Sequence, residues 1–269
     1  MSTTSNTGTA TLARRAGFAH DLSSVALRAL RLTARDKESV IPGLMVPLFF
    51  LVVNIGSLQS FVEGNLPPGF DFKGFQLPVS VIFAVTGVSR AGSLVIDIQD
   101  GYLDRLLLTP VNRVTLLLGL MVADLVIVTL LGVPVVILGL LIGVSFETGL
   151  VGMLVFILIG TAWGLAFTGF PYAIALKTGN PIAVNNAFLL FFPFAFLTTA
   201  YVPQAQMTGW LATVADWNPV TYLLAGMRAL VLEGWDWSAI GQAFLAAVLV
   251  GAVSFFLAFS SLRGRVRRG

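Results

Sequence analysis

The 269-residue chain is 57% hydrophobic and only 11% charged, with a mean hydropathy of +0.90 and a net charge of +3. A water-soluble domain carries about 25% charged residues, so the composition excludes an ordinary globule and calls for burial in lipid. The lack of cysteine excludes a disulfide framework or a cysteine metal site, and basic residues that cluster beside apolar runs argue against a nucleic-acid surface.

Residues 1–40 are polar and then basic, with no early apolar stretch, so no cleavable signal peptide is expected. The opening MSTTSNTGTATL has the composition of a disordered tail. From Phe18 to Glu38, the apolar residues Phe18, Leu22, Val25, Ala26, Ala29 and Leu30 recur at helical spacing. They lie among Arg28, Arg31, Arg35 and Lys37, just after Arg14 and Arg15. This pattern predicts an amphipathic helix on the membrane surface or against a partner.

A helical span needs about 20 mostly apolar residues. Six stretches meet this: Ile41–Ser60, Phe75–Ile96, Val114–Val144, Gly149–Leu176, Pro181–Val202 and Ala239–Leu262. They are continuous runs rather than alternating ones, so helices are expected and not barrel strands. The predicted fold is an all-α integral membrane protein, with residues 41–262 as one six-helix transmembrane domain and 263–269 as a basic tail. If both termini are cytoplasmic, the inner segments hold thirteen basic residues, and the outer ones hold only Lys73 and Arg228. That asymmetry predicts a multi-pass plasma-membrane protein with both ends inside.

Between the second and third spans lies DGYLDRLLLTPVNR, residues 100–113, within a predicted cytoplasmic loop 97–113. Tyr102, Leu103, Leu106 and Leu107 fall on one arc of a short helix, with Asp104 and Arg105 outside it. Thr109-Pro110 then stops the helix. Such a helix can rest on the membrane, dock on a soluble partner, or simply connect two spans.

The external segment 203–238 carries Trp210, Trp217, Trp235 and Trp237, residues that favour the headgroup level. Asn218-Pro219 is a helix start and Gly234 a stop, so 219–233 reads as a helix lying in or dipping into the outer leaflet. Span five is rich in phenylalanine: Phe188, Phe191, Phe192, Phe194 and Phe196, followed by Tyr201. These rings suit a path for amphipathic molecules and equally suit a packed core. Arg90 and Asp124 are charges inside spans, which makes them candidates for an ion pair, for snorkelling, or for a substrate or proton site.

Two motifs together resemble the ABC type-2 exporter permeases, most closely the daunorubicin-resistance branch. The first is Asp100, Gly101, Asp104, Arg105, Leu106, Leu107, Thr109 and Pro110; the second is Asn218, Pro219, Tyr222 and Arg228 before the last span. The resemblance implies that 97–113, with Tyr102, is a coupling helix docking on a separate ATPase. It implies that 203–238 forms re-entrant helices at an external gate. It also implies that Asn54, Gly56 and the span-five residues Phe188, Phe191, Phe192 and Phe196 lie at the central pathway or at the interface with a second permease copy or paralogue. ATP and Mg would bind the partner, since this chain has no G-x-x-x-x-G-K-[ST] loop and no cofactor of its own is expected. The implied cargo is a hydrophobic or amphipathic drug or lipid-like molecule. Alternatives are a lipid-linked polysaccharide or teichoic-acid exporter, and an ion-coupled carrier using Arg90 and Asp124. A membrane enzyme finds no support, because His20 is the only histidine and neither H-E-x-x-H nor G-x-S-x-G occurs.

Overall fold

In a computed structural model, residues 18–35, 37–86, 89–102, 105 and 113–266 are described. All regular structure among them is helical. The amphipathic stretch forms α1 (Phe18–Arg35), and the first apolar run forms α2 (Lys37–Asn65). The second run is divided into α3 (Phe72–Thr86) and α4 (Ala91–Gln99). Next come α5 (Arg113–Leu141), α6 (Gly149–Thr178), and the short α7 (Pro181–Asn185) and α8 (Phe191–Phe196), joined by a 3₁₀ turn. The segment over 203–238 builds α9 (Gly209–Trp217) and α10 (Pro219–Arg228), and α11 (Trp237–Val266) ends the described chain.

Among the described residues, five helical segments are long and apolar enough to cross a membrane: Ile41–Asn65, Phe72–Gln99, Val114–Leu141, Gly149–Thr178 and Trp237–Arg265. The expected span Pro181–Val202 differs. Its helix ends at Phe196, giving a shorter apolar helix over Pro181–Phe196. Within it, Pro193 offers no N–H to the Leu189 carbonyl four residues earlier, in keeping with the tighter 3₁₀ turn over Asn186–Leu190. The chain then bends through residues 197–202.

The bundle is organised around α3. Sixty-nine per cent of the second span's most apolar window is buried inside the protein, against 11% for the first, so α3 is the centre and α2 the periphery. Leu77, Val81, Ile82 and Val85 of α3 meet Val128 and Val135 of α5 and Phe156, Ile159 and Trp163 of α6 in one core. Lipid tails are as apolar as leucine, so helices associate through close packing rather than hydrophobicity, and small residues mark the contacts. At Gly119, an added Cβ would lie 2.7 Å from Val25, so this glycine seats α1 on α5. At Gly169 it would lie 2.5 Å from the Ser254 carbonyl carbon, where α6 and α11 cross. Ser254 Oγ donates to the Ala166 carbonyl at the same crossing.

This crossing yields the first prediction. Gly169→Ala pushes against backbone rather than a movable side-chain end, and should cost about 1–3 kcal/mol by overpacking. A thermal unfolding series in detergent should show a lowered midpoint for Gly169→Ala and little change for Gly241→Ala, where nothing lies within 4 Å.

Candidate functional site

Two polar constellations stand out, one at each interruption of an apolar run. The first lies where α3 gives way to α4. Ser89 and Arg90 are non-helical there, and residues 87 and 88 lie outside the described residues. The Arg90 N–H, at the start of α4, donates to Asp124 Oδ1 of α5 at 2.8 Å. Asp124 Oδ2 accepts from the Tyr172 hydroxyl of α6 at 2.7 Å. A carboxylate from a neighbouring helix thus meets the N-terminus of α4, where exposed N–H groups and the helix dipole favour negative charge. Arg90 and Asp124 are both buried. On the α3 side, Trp163 Nε1 donates to Thr86 Oγ1 at 3.0 Å, and Thr86 Oγ1 donates to the Ile82 carbonyl at 2.6 Å.

From this anchor α4 runs to Asp100, whose N–H closes the helix on the Ile96 carbonyl. Gly101 follows at φ +66°, a left-handed conformation that glycine adopts without a Cβ penalty and that ends helices. The Arg105 N–H then bonds the Gly101 carbonyl at 3.2 Å, starting a new turn. Helix α1 grips this junction: Arg28 Nη2 lies 3.2 Å from Asp97 Oδ1, and its guanidinium sits 4.2 Å above the Tyr102 ring. Gln99 Nε2 donates to the Gly179 carbonyl at 3.1 Å, tying α4 to the end of α6.

The second constellation lies at the other end of the bundle, where the helix over 181–196 stops. Asn218 Oδ1 accepts from the Val220 N–H at 3.0 Å and caps α10. Its Nδ2 donates to the carbonyls of Phe194 and Leu197, both at 2.8 Å. One side chain therefore starts α10 and satisfies carbonyls left open where α8 ends. Ten residues on, Arg228 is buried and donates through Nη1 to Thr199 Oγ1 at 3.0 Å, Nη2 to the Thr199 carbonyl at 2.9 Å, and Nε to the Phe75 carbonyl at 3.1 Å. Its guanidinium lies 3.4 Å from the Phe75 ring centroid, a cation–π contact. Among the described residues no carboxylate pairs with it. Tyr222 donates to the Asp216 carbonyl at 2.7 Å and braces the α9–α10 elbow.

Nearby on α3, buried Gln76 and Ser80 have side-chain polar atoms without a hydrogen-bond partner, as does Thr221 on α10. Deeper in the bundle, Phe83 of α3 gathers the phenylalanine rings of the 181–196 segment. Phe191, Phe192 and Phe196 lie 5.3, 6.2 and 6.0 Å from it, and Phe188 lies 5.1 Å from Phe192. Phe50 of α2 joins at 5.1 Å.

The ABC-2 type transporter family matches residues 21–232, from the second turn of α1 through the end of the α10 segment. The chain belongs to the ABC-2 type transporter family. It is 26% identical over 212 residues to the probable doxorubicin resistance ABC transporter permease protein DrrC of Mycobacterium tuberculosis, covering 77% of this chain and 75% of that protein. It is 25% identical over 164 residues to the daunorubicin resistance ABC transporter permease protein DrrB1 of Streptomyces coeruleorubidus, covering 60% of this chain and 58% of that one. It is also 25% identical over 262 residues to the putative transport permease ycf38 of Cyanophora paradoxa, covering 89% and 88%. Both polar constellations of this ABC-2 chain fall inside the matched region.

Set against the sequence expectations, the structure brings Asn218, Pro219, Tyr222 and Arg228 into one region around the end of α8. Asp100 and Arg105 are exposed; Gly101 and Tyr102 are half-buried. Asp104, Leu106, Leu107, Thr109 and Pro110 lie outside the described residues. Helix α4 reaches Gln99, so the expected loop from residue 97 starts as helix. Asn54 of α2 is half-buried, and its Nδ2 has no partner. Phe191 is enclosed between Phe83, Trp163 and Phe167, so it is a core ring here, whereas Phe196 is 43% exposed. Arg90 and Asp124 are joined through a backbone N–H. Sequence reasoning did not single out Tyr172, Phe83, Phe75 or Thr199. Tyr172 carried one signal: a hydroxyl within an apolar run needs a partner when buried.

Asn218→Asp keeps the acceptor for Val220 but turns a carboxylate toward two carbonyls. It should lower stability by roughly 1–3 kcal/mol, since two partly buried carbonyls lose their donor and face a carboxylate instead. A detergent melt followed by tryptophan fluorescence checks this; Asn218→Asp should fall below Asn218→Ser, which retains a small cap without the charge.

Proposed function

We propose that this chain is the membrane permease subunit of an ATP-driven exporter that moves hydrophobic or amphipathic molecules out of the cell. Separate nucleotide-binding subunits supply the ATPase and bind ATP and Mg. The observation that carries this reading is the built lever at α4. Asp124 and Tyr172 hold one end, and Gly101 and Arg105 open a new turn at the other, at the start of the 97–113 segment that resembles a coupling helix. The printed names of the drug-resistance permeases support the cargo class.

The proposed topology has six spans with both termini cytoplasmic. The five long helices, the shorter Pro181–Phe196 and the basic-residue asymmetry support it. In this arrangement 1–40 is the cytoplasmic tail and interfacial helix, 41–262 one permease domain, and 263–269 a basic tail. Helices α9 and α10 form the re-entrant external gate. Asn218 and Arg228 latch α10 to the end of span five and to α3, and opening the latch would let water reach Gln76, Ser80 and Thr221. A second permease copy or paralogue would cover exposed apolar residues such as Met45, Phe49 and Val52 of α2 and Leu190 and Phe194 of span five. The ion-coupled alternative needs Asp124 as a mobile relay, yet both of its oxygens are engaged by structural donors, which favours the exporter.

A tagged chain purified in mild detergent from cells carrying its gene neighbourhood should bring a soluble Walker-motif ATPase with it. The Leu106→Asp/Leu107→Asp variant should retain at least about tenfold less ATPase, because a buried carboxylate at a docking face costs more than about 1.4 kcal/mol. A well-folded native chain with no ATPase would remove the exporter reading. The cysteine-free background also permits a clean topology test. Arg228 is too buried to label, but Asp236 and Lys177 are exposed. Asp236→Cys should react with an impermeant thiol reagent in intact cells, and Lys177→Cys only after permeabilisation; the reverse would invert the topology.

A further inference from the structure

A cavity of about 190 Å³ lies beneath α1, apart from the external latch. Its walls are leucines from four helices: Leu94, Leu116, Leu117, Leu120, Leu176 and Leu262. At its rim stand Arg28, Asp97 and Tyr102. An apolar cavity of about 150 Å³ stays dry and accepts a benzene-sized hydrocarbon, so this one suits an apolar chain or ring better than water.

The rim sets the head of the ligand. Arg28 is 45% exposed although it already pairs with Asp97, so its guanidinium still has a face toward solvent. Arg31 is exposed on the next turn of α1, and the exposed Lys177 and Arg263 directly follow the wall residues Leu176 and Leu262. Of these, Arg28 is the cation that lines the cavity itself, beside Asp97, and Arg31 stands one turn away on the same helix. A cationic amphiphile would therefore meet like charge at the rim, and an anionic one would be drawn in. Helix α1 is amphipathic, and the proposed topology puts it at the inner leaflet.

We propose that the cavity holds part of an acyl chain of an anionic phospholipid from the inner leaflet, with its phosphate on Arg28. In this arrangement the phosphate competes with Asp97 for Arg28, and Arg28 also rests on Tyr102, the first residue after the Gly101 turn. Resting on the proposed ATPase dock, this makes the α4–Tyr102 junction sensitive to lipid charge.

The test uses the full-length chain with its partner subunits in phosphatidylcholine vesicles. These contain trace phosphatidylglycerol or phosphatidylcholine bearing a photoreactive group on one acyl chain. Labelling is read without ATP, so a failed exporter reading does not affect it. Phosphatidylglycerol should label peptides containing Leu117, Leu120 or Leu262 in excess over phosphatidylcholine. Arg28→Gln should reduce that labelling about fivefold, the factor for one basic residue at an anionic surface. Asp97→Asn breaks the same ion pair but releases the cation, and should hold or raise the labelling. Leu120→Trp, which fills the cavity, should abolish it while the complex still elutes as a single species. An equal fall in Arg28→Gln and Asp97→Asn would make the ion pair merely structural and overturn the proposal. Equal labelling by both lipids, or protection by an amphipathic cation but not by phosphatidylglycerol, would overturn it too.

Discussion

A peptide N–H or C=O buried in lipid without a partner costs several kcal/mol, and this chain interrupts two of its apolar runs. Each interruption is met by side chains of matching polarity from elsewhere in the fold. Where α4 begins, N–H groups are open, and a carboxylate, Asp124, accepts from one of them. Where α8 ends and the chain bends, carbonyls are open, and the donors Asn218 and Arg228 fill them. The same rule explains why a buried arginine needs no carboxylate here. Carbonyl dipoles, a threonine hydroxyl and the face of Phe75 surround its guanidinium.

These repairs brace the bundle at two ends around a densely packed centre. Helix α3 is buried on nearly all sides and packs through glycines and β-branched residues, which leave little room for independent motion. Helix α4 is only nine residues long, roughly 13 Å by helical rise. It is held at one end by Asp124 and at the other by Arg28 and Gln99. At the other end, Asn218 ties the start of α10 to the end of α8, while Val220, Leu223, Leu224 and Met227 of α10 pack into the apolar core.

Much of this was legible in the sequence where the signal is local. The apolar runs, the amphipathic first helix and the Asn218-Pro219 start follow from hydropathy and spacing within a few residues, whereas the left-handed turn at Gly101 came only with the structure. The trimmed fifth span was less legible. Its run stays apolar to Val202, so hydropathy alone cannot show that the helix stops at Phe196, although Pro193 within it marked a weak point.

The sequence by itself determined an apolar helical chain of membrane character, most of the stretches that are helices of spanning length, and the sign of the charge beside them. Only the tertiary structure decided that Asp124 meets Tyr172, that Arg228 reaches Thr199 and Phe75, and that Phe83 gathers the phenylalanine rings of the 181–196 segment. The reason lies in the solvent. In water a helix shows its inward face by its apolar stripe, but in lipid both faces are apolar, so spacing no longer reveals which side packs. Partners 29, 48 and 153 residues apart were therefore set by how the helices cross.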